Sequence, residues 1–140
     1  DVRQNKIIDI SNYKIEEEKN YSNKMPKITI YANCDTALTL NLGCFSFAPQ
    51  EQLIFVIKNH DYTDAPVEFL HKVEVEKINE DKNYSFVVPK EAAATIKTGA
   101  IYTFMFKHTN GRCSKVTPNG FIRVEYGADG LIIKEDVVNE

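Results

Sequence analysis

From Lys27 to Gly127 the apolar residues of this chain recur at every second position, a period that buries them only when the chain runs as β-strands. Ile28 and Ile30 alternate with Lys27, Thr29 and Tyr31, and Leu38, Leu40 and Leu42 with Ala37, Thr39 and Asn41. Residues 52–58, Gln-Leu-Ile-Phe-Val-Ile-Lys, are apolar on both faces, which predicts a central strand. The run through Val73 and Val75, with His71, Glu74 and Glu76 around them, predicts a strand with one wet face that Glu74 and Glu76 share. Tyr84, Phe86 and Val88 form another stripe, which Pro89 ends because proline has no N–H for the ladder. Tyr102, Phe104 and Phe106, then Ile122, Val124 and Tyr126, complete the set. Seven or eight short strands in about a hundred residues predict an all-β antiparallel sandwich.

The punctuation fits that reading. Asn110-Gly111 sits between two strand-like runs, a hairpin signal because both residue types tolerate positive φ. Thr117-Pro118-Asn119-Gly120 has the proline and glycine that a type I turn prefers. Residues 61–66 form a polar connection between strands. After Pro89 the helix formers Lys90, Glu91 and Ala92 to Ala94 predict a short helical turn near 90–96. Tyr102 follows Ile96 by six residues. It is either a tyrosine corner, its hydroxyl bonded to backbone just upstream, or simply an inward-facing aromatic.

Three parts follow: residues 1–24 as an N-terminal arm or edge strand, 25–128 as the sandwich, and 129–140 as a connector or tail. Ile7, Ile8 and Ile10 in the arm, and Leu131, Ile132 and Ile133 in the tail, are short apolar patches expected to bury themselves on a partner. Exposed Tyr62 in the 61–66 loop is a further contact candidate, with Tyr21 and Tyr31 beside it in that class. The chain opens at Asp1 without an initiator Met or an apolar leader core, as expected of a piece of a longer protein or of a mature chain.

Composition narrows the function classes. With 140 residues the chain has one domain's worth of sequence, enough for a core without staples. A net charge of −3 is the wrong sign for a generic nucleic-acid binder or a membrane-surface protein. No apolar run is long enough to span a bilayer. Cys34, Cys44 and Cys113 are an odd, sparse set without CxxC spacing, which points to a reducing compartment; Cys34 and Cys44 are the one pair close in sequence.

No motif of catalysis is present. Gly-x-Ser-x-Gly, the phosphate loop, and the dinucleotide, EF-hand and zincin patterns are all missing, and each is local enough in sequence to be seen. His60, His71 and His108 are scattered, and exposed or packed histidines account for them better than a zinc site. His108 and Cys113 face each other across a predicted hairpin but lack a third group to orient the imidazole. The expectation is therefore a non-enzyme with no cofactor and no metal.

The runs Phe45-Ser46-Phe47, 52–58, Ala65-Pro66-Val67, Phe86-Val87-Val88-Pro89, Gly99-Ala100-Ile101-Tyr102, Gly111 and Gly120-Phe121-Ile122 together resemble a known domain. It is the immunoglobulin-like N-terminal domain of phage upper-baseplate and related tail proteins of Gram-positive bacteria. The resemblance covers about residues 36–127; the polar arm and the acidic tail depart from it. It implies a virion or prophage structural adaptor, present in the virion or in the bacterial cytoplasm during assembly. Its partners would be other tail or baseplate subunits or further copies of itself, with neither nucleic acid nor membrane. The alternative is a small carbohydrate- or receptor-binding sandwich from a bacterial surface or secreted protein.

Overall fold

A computed structural model describes residues 2–4, 7–10, 25–43 and 47–125. They form two sheets packed face to face. The smaller holds β1 (Val2–Gln4), β2 (Ile8–Asp9), β4 (Asp35–Asn41) and β7 (Asn83–Val88), with β4 at its centre. The larger runs β3 (Ile28–Tyr31), β10 (Gly120–Glu125), β8 (Ile101–Lys107), β5 (Gln52–Lys58), β6 (Val67–Lys72), and β9 (Cys113–Lys115) also pairs with β8. The chain changes sheet from β2 to β3, from β3 to β4, from β4 to β5, from β6 to β7 and from β7 to β8, crossing between the layers as in an immunoglobulin-like sandwich.

The alternating stripes become the core. Leu38, Leu40, Tyr84, Phe86 and Val88 from the smaller sheet meet Leu53, Phe55, Ile57, Tyr102, Phe104 and Phe106 from the larger, all buried. Phe55 sits at the centre, its ring 5.1 Å from that of Phe86 and 5.3 Å from that of Phe104. As expected, β5 is central, paired with β8 on one side and β6 on the other. The helical turn is α1 (Lys90–Ala93). Its first N–H groups have no partner within the helix, and Asp35 of β4 supplies one, accepting from the Lys90 N–H at 2.8 Å. Asn59 then holds the chain leaving α1, donating to the Thr95 carbonyl and accepting from the Lys97 N–H, both at 2.8 Å.

Several expectations need correction. The sandwich is not wholly antiparallel: β1 and β2 both run parallel to β4, and β3 runs parallel to β10. Residues 2–4 and 8–9 are thus edge strands of the smaller sheet. The ten strands reduce to eight ribbons, because β1 and β2 share one edge of β4 and β9 and β10 share one edge of β8. The strand expected through Val73 and Val75 stops at Lys72, and a single 3-10 turn follows at Val75–Lys77. There Glu74 and Glu76 do not share a strand face, and Glu74 pairs with Lys77 at 3.1 Å.

The turns are also more particular than their sequences suggest. At residues 108–112 Gly111 alone takes a positive φ, 87°, while the Gly111 N–H bonds the His108 carbonyl and the His108 N–H bonds that of Arg112. This is a type I turn with a glycine bulge, not a two-residue primed turn. Residues 117–120 do not reverse the chain at all; they bridge β9 to β10 along the same edge of β8. Thr117 replaces the interrupted ladder, its carbonyl accepting from Thr103 Oγ1 at 3.0 Å and its Oγ1 accepting from the Phe104 N–H at 3.3 Å.

Tyr102 makes no local corner. Its hydroxyl donates to the carbonyl of Pro26, a chain separation of 76 residues, and so anchors the start of β3 to the body of the larger sheet.

Candidate functional site

Alternation along the strands of the larger sheet leaves a second face, turned away from the core. Ile54 and Val56 on β5 and Ile101 on β8 are buried but stand outside the core cluster that holds their neighbours Leu53, Phe55, Ile57 and Tyr102. The register sets Leu70 beside Val56, Met105 beside Ile54, Val67 beside Lys58 and Phe121 beside Ile101. Three of these stand out into solvent: Phe121 is 60% exposed, Val67 50% and Leu70 48%. Thr117 folds over Thr103 and closes the polar part of the row. The result is a continuous apolar centre across β6, β5, β8 and β10. A shallow hollow of about 380 Å³ beside Phe121, lined also by Lys27, Thr98 and Gly99, ends it.

The same face carries the cations. Lys72 lies opposite Ile54, Lys58 opposite Ile101, Lys107 opposite Gln52 and Lys115 opposite Met105, and Arg123 follows Phe121 on the same side of β10. Against them the strands offer two carboxylates on this side, Glu68, two residues before Leu70 on β6, and Glu125, bonded to Arg123 at 3.2 Å. In a chain of net charge −3 this is charge segregation. An apolar centre with a mostly cationic rim departs from the apolar–polar alternation of a solvated sheet face.

The residues singled out from sequence fall in different places. Ile8 and Ile10 have no exposure and belong to the core cluster. They bury themselves in their own chain, because β2 lies on β4 with Ile8 paired to Leu40, and the expectation that they reach a partner is corrected. Ile7 is 53% exposed. Tyr62 is 56% exposed and stacks on His60 at 5.6 Å, in a loop that Lys58 Nζ holds through the Tyr62 carbonyl at 3.0 Å. Leu131, Ile132 and Ile133, like Cys44, Tyr21 and Tyr126, lie outside the described residues. Cys34 is a buried free thiol and Cys113 an exposed one. His108 bonds Ser114 Oγ at 2.8 Å. Among the described residues no three of His, Cys, Asp and Glu gather as a metal site requires.

One polar cluster joins the two sheets. His71 of β6 stacks on Phe86 of β7 with centroids 4.5 Å apart, and its Nε2 lies 2.6 Å from the Tyr84 hydroxyl. The Glu74 N–H already donates to that oxygen at 3.2 Å, which leaves the hydroxyl hydrogen for a neutral His71. Burial holds the His71 pKa below its usual 6.5, more than the nearby Glu74 carboxylate raises it, and Lys77 lowers it further; burial likewise pushes Tyr84 up. The sign is then fixed. The depressed folded value means that the contribution is complete above pH 6.5 and is lost as pH falls through the folded pKa. Urea melts between pH 7.5 and about 5 are therefore expected to show falling stability in the wild type and a flatter profile in His71→Gln. Equal slopes in the two would remove His71 as the cause.

No protein-family model matches the chain, and no curated protein matches its sequence.

Proposed function

We propose that this chain is a non-enzymatic structural module that assembles with neighbouring subunits by protein–protein contact, copies of itself among them. That is the role implied by its resemblance to phage baseplate and tail domains. The observation that supports it best is the outer face of the larger sheet, where Val67, Leu70, Met105 and Phe121 continue an apolar surface within a cationic rim. An antiparallel sheet that faces water on one side normally alternates apolar and polar residues. Here Ile54, Val56 and Ile101 on the outer side are already buried within the chain, and a partner would bury the exposed Val67, Leu70 and Phe121 that continue them.

The test is light scattering on the full chain across a concentration series. A mass rising above 16.0 kDa with concentration, and held at the monomer by Leu70→Glu with Phe121→Glu, is the expected result. A single chain at every concentration would overturn self-association.

A second reading has one observation in its favour. The stacked His60–Tyr62 pair is an exposed flat surface of the kind that sugar rings pack on. A glycan array read with the wild type and with Tyr62→Ala decides it: binding lost with Tyr62 supports a carbohydrate module, and no bound glycan removes it.

A further inference from the structure

We infer that the occupant of the outer face is the C-terminal segment, residues 131–140, of a second copy of the chain. The inference rests on the assembly reading above and adds which two surfaces meet.

Face-to-face pairing of two copies is the first arrangement that a symmetric dimer would use, and the charges oppose it. Lys58, Lys72, Lys107, Lys115 and Arg123 of one copy would oppose the same cations of the other around a desolvated centre. The face calls for a partner that brings apolar side chains together with an excess of carboxylates.

The chain's own sequence holds one such stretch. Residues 131–140 read Leu-Ile-Ile-Lys-Glu-Asp-Val-Val-Asn-Glu, with Leu131, Ile132, Ile133, Val137 and Val138 as the apolar members. Glu135, Asp136 and Glu140 outweigh Lys134, so its side-chain charge is opposite to that of the face. Drawn as a strand, it puts Leu131, Ile133 and Val137 on one side, with Glu135 among them. Laid across the face, its apolar side chains would be buried against Leu70 and Phe121 and its carboxylates would meet the rim cations.

A contact between two different patches is heterologous, so repeating it builds a ring or a filament rather than a closed two-fold dimer. That property makes the inference testable by complementation on full-length chains. One variant loses the receiving face (Leu70→Glu with Phe121→Glu), and the other loses the donor (Leu131→Lys with Ile133→Lys). Each alone is expected to remain a monomer in light scattering. Their equimolar mixture is expected to give a species of two chains and nothing larger, since one face and one segment remain to pair. Raising the salt by about tenfold should weaken that species by screening the rim. If the paired glutamates unfold the protein, as far-UV circular dichroism would show, Leu70→Ser with Phe121→Ser takes their place.

The other outcomes each overturn something definite. A donor variant that still associates means that another surface or partner occupies the face. A mixture that stays monomeric while the wild type associates also overturns the pairing and leaves the assembly reading standing. A wild type that is monomeric throughout overturns the pairing and self-association with it. If the Leu70 and Met105 methyl resonances of that monomer then shift on Leu131→Lys with Ile133→Lys, the occupant is the chain's own segment.

Discussion

Replacing Ile8 and Ile10 together by alanine is expected to unfold the protein, where a loose docking arm would leave it folded and merely monomeric. Both side chains are fully buried, Ile8 against β4 through its pairing with Leu40, and Ile10 just beyond, where its N–H bonds the Asn41 carbonyl at 3.0 Å. Truncating one buried isoleucine to alanine costs about 2–5 kcal/mol, because the transfer energy is lost and a cavity remains. The two sites are close and share the same core, so their costs need not add. Even so, the pair removes a large share of the roughly 5–15 kcal/mol by which a domain is stable. Urea denaturation followed by circular dichroism measures it. Ile7→Ala, one position away but exposed, is the internal control and should lie within about 0.5 kcal/mol of wild type. Equal midpoints for all three chains would return the segment to the role of an arm. The same result bears on any truncation: a chain begun at residue 25 lacks β1 and β2 and is expected to aggregate, not to report on assembly.

This segment also shows what a sequence of this kind discloses. The stripes of β4, β5, β7, β8 and β10 are legible because period-two alternation is a local property, and the structure buries Leu38, Leu40, Phe55, Phe86 and Phe104 as that pattern requires. The pairing of β2 with β4 is parallel and joins residues 32 apart, Ile8 with Leu40, so no turn sequence announces it. Val73 and Val75 mislead for a different reason. Two valines at alternate positions satisfy the strand template, but the Tyr84 hydroxyl captures the Glu74 N–H and the chain tightens into a 3-10 turn. The outer face of the larger sheet was half visible. Apolar residues on both sides of β5 are read as centrality in the sheet, yet centrality accounts only for neighbours within the sheet, not for the loss of water from its outer side. The second half of the signal, the lysines and the arginine that share that side, needs the register to bring Lys58, Lys72, Lys115 and Arg123 onto one surface.

Gly120→Ala is the other substitution with a large expected effect, and its cause is the tether at Tyr102. A Cβ at position 120 would lie 2.2 Å from Tyr102 Cε2 and 2.7 Å from its hydroxyl oxygen, inside any real contact distance. Gly120 pairs directly with Tyr102 across the β8–β10 ladder, so the ring lies flat over a backbone that has no side chain to displace it. The backbone at Gly120 is not in the positive-φ region, and the requirement for glycine is steric alone. The tyrosine cannot yield cheaply, because it is fully buried, packs against Phe55 at 5.7 Å and holds the Pro26 carbonyl through its hydroxyl. Overpacking of this kind costs about 1–3 kcal/mol and sometimes more. Loss of the hydroxyl bond adds about 1 kcal/mol and releases the start of β3. A double-mutant cycle separates the two contributions. Tyr102→Phe alone should cost about 0.5–1.5 kcal/mol by losing the bond while keeping the ring. Combined with Gly120→Ala it should cost less than the sum, since the displaced ring no longer has a bond to break. Strict additivity would mean that the new methyl group is accommodated elsewhere and that the tether survives it. Amide exchange at Ile28 and Ile30 gives an independent view: both should lose protection in Gly120→Ala, because β3 is held to β10 by its ladder and to β8 through Pro26 and Tyr102.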